Sequence, residues 1–138
     1  MKKIVALTLI LACMLALVAC SSSGGNVKRV HIASYTSELY SDAEIESAIH
    51  TIIYYFKKHF AGCTLTEITY VGDDQLENWQ EFADRNNADD VIVLVSSFDV
   101  DDSGGDGSFN PNSTYTNWKW ILVRNNGGKW RHVDHGYG

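Results

Sequence analysis

An apolar stripe at helical spacing constrains this chain more than any other feature. From about Asp42 to Phe60, the residues Ile45, Ala48, Ile49, Ile52, Ile53, Phe56 and Phe60 recur at i, i+3 and i+4. A helix there has one broad face that must be buried. Ser41 followed by Glu44 predicts a capping box, Lys57, Lys58 and His59 suit the negative end of the helix dipole, and Gly62 supplies the stop. What lies downstream says what covers the stripe. Thr64 to Val71 alternates and is rich in Thr, Ile, Tyr and Val, the pattern of a strand. Val91 to Val95 is a continuous apolar run too short for a helix and reads as a central strand covered on both faces. Tyr115 to Arg124 and Lys129 to His135 read as two strands joined by Asn125-Asn126-Gly127-Gly128, a hairpin signal. Between the first and central strands, Asp74 with Glu77 repeats the cap pattern, and Leu76, Trp79, Phe82 and Ala83 form the apolar face of a shorter helix closed by Asn86-Asn87. Val27 to Tyr35 reads as an edge strand. The fold class that follows is α+β, a long amphipathic helix packed on one face of a curved, mainly antiparallel sheet.

The N-terminus carries a different message. Lys2 and Lys3 precede the apolar run Ile4 to Ala16, and small residues follow, the layout of a cleaved export signal. As an uncleaved anchor, Ile4 to Val18 is too short: about fifteen residues at ~1.5 Å each span some 22 Å, against about 30 Å of hydrocarbon core. Leu17-Val18-Ala19-Cys20 resembles the lipobox of bacterial lipoproteins, whose cysteine is acylated and becomes the mature N-terminus. That resemblance implies lipidation of Cys20, a membrane-anchored extracytoplasmic location, and several acyl chains, enough for stable rather than marginal binding. The chain divides accordingly into a signal peptide (1–19), a lipidated flexible Ser/Gly spacer (20–26) and one α+β domain (27–138).

Charge and cysteine content narrow the function classes. Loss of residues 1–19 removes Lys2 and Lys3 from the eleven basic residues and none of the seventeen acidic ones, leaving nine against seventeen, a net charge of −8. Such a balance argues against nucleic-acid binding and against a basic face for docking on membranes. Of three cysteines, Cys13 leaves with the signal and Cys20 is spent on lipid, so Cys63 is alone and no internal disulfide forms. Its apolar surroundings predict a buried, inert thiol.

Three stretches could carry chemistry. Asp99, Asp101, Ser103 and Asp106 sit in a Gly-rich acidic loop, and oxygen ligands at alternate positions suit calcium; yet position twelve is Asn110, which lacks the bidentate carboxylate of an EF-hand, and a solvated loop with no cofactor is the favoured reading. His132 and Asp134 share a strand face at period two while His135 points away, so only two metal ligands converge. Trp118 and Trp120, with Thr116 and Leu122, occupy one strand face, and Trp130 can face them across the hairpin. These rings suit core packing. With Tyr115 they are also the candidates for ligand contact.

Beyond the lipobox, Ser41 to Phe60 with Gly62 to Ile68, Val91 to Asp102, and Asn110 to Arg124 are similar to a family of small lipoproteins of Gram-positive anaerobes to which no activity is attached. That family is similar in turn to the NTF2-like, cystatin-like α+β domains. The resemblance implies an NTF2-like fold, whose sheet face can line a pocket, and supplies no catalytic residue. No nucleophile elbow, phosphate loop or metalloprotease helix occurs in the sequence. The expectation is a non-enzymatic domain that binds a small ligand, a cell-wall component or an envelope protein. The alternatives are an NTF2-like enzyme with a pocket acid or base, and a calcium-dependent envelope module built on the Asp99 to Asp106 loop.

Overall fold

The long helix α1 (Asp42–His59) is fixed at its start by sequence and along its length by burial. The computed structural model describes residues 24–137; the signal, Cys20 and the first serines of the spacer lie outside the described residues. The capping box is reciprocal, the Glu44 N–H donating to Ser41 Oγ at 3.2 Å and the Ser41 N–H to Glu44 Oε1 at 3.0 Å. Ile45, Ala48, Ile49, Ile52 and Phe56 are fully buried. Each of the large ones contributes about 1.5–3 kcal/mol, so burial outweighs the cap's ~1 kcal/mol.

The stripe packs on a five-stranded sheet in the order β1 (His31–Ile32), β2 (Cys63–Tyr70), β3 (Asp90–Val100), β4 (Thr114–Arg124), β5 (Arg131–Gly136). All pairings are antiparallel except that of β1 with β2. The expected edge strand from Val27 to Tyr35 shrinks to two residues and an isolated bridge from Asn26 to Thr64. Between them the chain turns at Lys28, whose N–H is held by Asn26 Oδ1 at 3.1 Å.

The spacer also ends earlier than its composition predicts. Gly24 and Gly25 lie against the last turn of α1, with the Gly25 N–H donating to the Lys57 carbonyl at 3.0 Å and the Asn26 N–H to the Cys63 carbonyl at 2.8 Å. A Cβ on Gly24 would sit 2.4 Å from the Lys57 oxygen and one on Gly25 2.5 Å from that of Phe56. Glycine is required here by close approach, not by flexibility.

The second helical segment is a 3-10 helix (Asp73–Trp79) running into a short α-helix, α2 (Gln80–Arg85). No side chain caps the 3-10 turn. Its first carboxylate, Asp73, is drawn away to accept from Ser37 Oγ at 2.6 Å, Tyr70 Oη at 2.8 Å and the Glu38 N–H at 2.7 Å. Leu76 and Ala83 are buried beneath this segment, and Val91, Ile92, Val93 and Leu94 are buried too, which gives the central strand cover on both faces. The β4–β5 hairpin turns through Asn126 and Gly127, both left-handed (φ 54° and 64°), as a type I′ turn requires. At that end Arg124, 8% exposed, lies with Nε 2.9 Å from Asp90, pairs with Glu44, and stands 4.4 Å over the Trp130 ring, clamping α1 to the hairpin.

Candidate functional site

Three bulges decide which side chains meet on the α1 side of the sheet. In β4, Thr116 and Asn117 together oppose Ser97, so Ser96 pairs with Trp118 and Phe98 with Tyr115. Asn117 takes the left-handed conformation (φ 54°) that the extra residue needs. Parity therefore switches at this point. Thr116 is exposed, and Tyr115 takes the place beside Trp118 that alternation assigned to Thr116, its ring stacked 5.2 Å from Phe98. A third such irregularity lies between Leu65 and Glu67 in β2.

In β5 the bulged residue is Val133, since Leu122 pairs with His132 and Ile121 already with Asp134. The face assignment read from alternation is thereby overturned. His132 and His135, not His132 and Asp134, share a face, and it is the face of Trp120. The two imidazoles stack at 5.2 Å between centroids, with His135 Nδ1 3.2 Å from His132 Nε2, which also lies 3.0 Å from the Asp134 carbonyl. With the His132 proton on Nε2, that N–H is placed to donate to either acceptor, the Asp134 carbonyl or His135 Nδ1. Burial first, and His135 second, push the His132 imidazole down to about 4, and burial also lowers His135. Both rings are neutral at neutral pH.

Around them the aromatic side chains form one continuous packing. Trp120 is fully buried and donates its indole N–H to Ser96 Oγ at 2.8 Å. Tyr55 on α1 touches His59 and His132, at 4.4 and 4.3 Å between centroids. Toward the open end of the sheet Trp118 stacks on His135 at 5.9 Å and meets Tyr137 edge to face at 5.3 Å, while Tyr137 also stacks on Tyr115 at 5.8 Å. Tyr137 is 64% exposed, and Tyr115 and Trp118 are half-buried. The Trp118 indole N–H is buried and finds no acceptor among the described residues.

The four aromatic candidates thus divide. Tyr115 and Trp118 form a strip with Tyr137, and Trp120 is core. Trp130 is elsewhere, at the Arg124 clamp, donating to the Glu44 carbonyl at 3.0 Å and packing on Tyr40 at 5.5 Å. On the opposite face of the sheet, a cleft of about 140 Å³ is lined by Trp79, Phe82, Lys119 and Ile121 together with Asp134 and Tyr137. Tyr137 borders both surfaces.

In the acidic loop three of the four carboxylates, Asp99, Asp101 and Asp106, are engaged locally. Asp99 accepts from Thr114 Oγ1 at 2.7 Å, Asp101 from the Ser103 hydroxyl and its N–H at 2.9 Å, and Asp106 from the Ser108 hydroxyl and its N–H at 3.1 Å. Hydrogen bonds from the neighbouring serines, hydroxyl first, hold Asp101 and Asp106 below the usual carboxylate range. Among the described residues, no group of three or more His, Cys, Asp or Glu is placed to hold a metal ion, and no helix is long and apolar enough to cross a membrane. Cys63 is 2% exposed, and burial, then Asp101, push its thiol up to about 11.

Asparagine inside β4 is the one sequence signal that could have located the first bulge, because Asn tolerates left-handed backbone. Val133 gives no such signal. Compared with models of protein families, with curated proteins and with solved structures, the chain finds no match.

Proposed function

We propose that the protein is an extracytoplasmic lipoprotein, held on the cell membrane through acylated Cys20, whose domain binds a cell-wall component rather than transforming a substrate. The anchor rests on the signal layout and on Leu17-Val18-Ala19-Cys20. Binding rests on the strip Tyr115, Trp118 and Tyr137: partly exposed rings positioned by core neighbours, beside an indole N–H with no acceptor among the described residues. Large rigid rings lose little entropy on binding and offer an apolar face with a polar tip, which suits saccharide and peptide surfaces. The finer reading of the fold, an NTF2-like domain, is supported by a long helix laid over a sheet that three bulges bend.

The test is a titration with soluble peptidoglycan fragments, following the Trp118 indole proton by NMR and the fragments by mass spectrometry. Binding shifts that resonance and leaves the fragments intact, and Tyr137→Ala weakens the shift. An indole signal unmoved at millimolar fragment sinks the assignment. Cleavage of the fragments would favour the enzymatic alternative, in which His135, in contact with Trp118, is the residue to replace first. Our reading includes no calcium ion, because Asp99, Asp101 and Asp106 already bond to Thr114, Ser103 and Ser108; a melting temperature raised by added calcium would overturn that part.

A further inference from the structure

We infer that the end of the domain bearing Lys28, Arg29, Lys57 and Lys58 lies against the anionic headgroups of the bilayer that holds Cys20, an inference that rests on the lipoprotein reading. The decisive feature is where the chain is seized. Gly25 is hydrogen-bonded to the Lys57 carbonyl at 3.0 Å, and Asn26 is paired on both sides, its N–H to the Cys63 carbonyl at 2.8 Å and its carbonyl to the Leu65 N–H at 2.9 Å. The two glycines leave no room for a Cβ against the α1 backbone, so the close fit sets the position of Gly24. Four residue steps separate Gly24 from Cys20. Fully extended they reach about 14 Å, whereas the eighteen residues of α1 run about 27 Å. The C-terminal turn of α1 is therefore confined near the headgroups, whereas the Arg124 end, a helix length away, is free to stand off them.

The side chains presented at the tethered end fit that neighbour. Four of the nine basic residues of the mature chain, Lys28, Arg29, Lys57 and Lys58, are exposed here, together with His31 and His59. Tyr54, 60% exposed, carries Lys58 Nζ 4.6 Å above its ring, an aromatic body with a cation at its tip, the arrangement that suits a lipid–water boundary. The acids at this end, Asp99 near the end of β3 and Asp101, Asp102 and Asp106 after it, lie across β2 from the segment carrying Lys28 and Arg29. Glu67, opposite His31, is the acid on the near side. An anionic surface attracts one flank and repels the other, which tilts the domain onto its β1 edge. Net charge alone argued against a basic membrane face; the distribution of that charge reverses the argument locally.

The experiment is amine acetylation of the full-length chain, purified with its lipid and reconstituted into phosphatidylglycerol–phosphatidylcholine vesicles, pure phosphatidylcholine vesicles and detergent micelles, read lysine by lysine by mass spectrometry. Lys129, beside the hairpin at the far end, is the internal reference. On anionic vesicles Lys28, Lys57 and Lys58 are expected to react about five-fold more slowly than in micelles, with Lys129 unchanged. Equal changes at all four lysines would overturn the orientation while leaving the anchor intact. Undiminished protection on pure phosphatidylcholine would overturn the role of headgroup charge. A chain whose Cys20 carries no acyl mass and which stays out of the membrane fraction would remove the lipoprotein reading itself, and the inference with it.

Discussion

His132 shows how one backbone irregularity reaches the chemistry of a side chain. Paired opposite Leu122, it is turned under α1 and held neutral down to about pH 4, and the Val133 bulge brings His135 onto the same face beside it. An unfolded chain protonates the same ring near 6.5, so the unfolded state binds the extra proton first as pH falls. The contribution is intact above pH 6.5 and is lost between there and about 4, and His135, also lowered, acts in the same sense. Urea unfolding at pH 7.5 and pH 4.5 is expected to differ by about 2 kcal/mol after discounting for partial exposure, with most of the difference absent in His132→Gln. A second, lower window belongs to Asp73. Donation by the Ser37 hydroxyl, the Glu38 N–H and Tyr70 depresses its carboxyl to about 2, so its support is present above pH 3.8 and fades as pH falls toward 2.

Elements reveal where local rules were sufficient. Gly127 is left-handed, and a Cβ placed on it meets nothing within 4 Å. Gly127→Ala therefore costs about 1 kcal/mol from conformation alone, a lower denaturation midpoint with an unchanged m-value. A change in m-value would mean that the hairpin itself had opened. The hairpin, the capping box of α1, its buried stripe and the doubly covered central strand were all legible, because each depends on residues within one turn or one run. The sheet faces were not. A strand read at period two assigns every side chain correctly until a bulge intervenes, and then every later one wrongly. Thr116 was misplaced for that reason, as was the His132–Asp134 pairing. The cap expected from Asp74 and Glu77 failed differently. Its carboxylate neighbour Asp73 found donors in Ser37 and Glu38, 36 and 35 residues away, and in Tyr70, a combination no local cap pattern encodes. Gly24 and Gly25 read as spacer because composition cannot distinguish glycine that is free from glycine that is gripped.

At the scale of the molecule, the core is a single cluster gathered from α1, every long strand and the 3-10 and α2 segment. Cys63 lies inside it, 2% exposed and with its thiol pushed up to about 11. Its reaction with a thiol reagent at neutral pH should follow global opening and accelerate in step with denaturant, as read on the Cys63 peptide by mass spectrometry. Complete labelling within minutes in native buffer would show a local opening near Gly62 instead. The Arg124 clamp has a consequence for how the domain comes into being. Glu44, in the first turn of α1, is held by Arg124 across 80 residues and by Trp130 across 86. A chain emerging from a ribosome or a translocon N-terminus first makes α1 early and must wait for nearly all the remainder before that turn is secured. Until then that first turn lacks its clamp, and securing it is among the last contacts the domain makes.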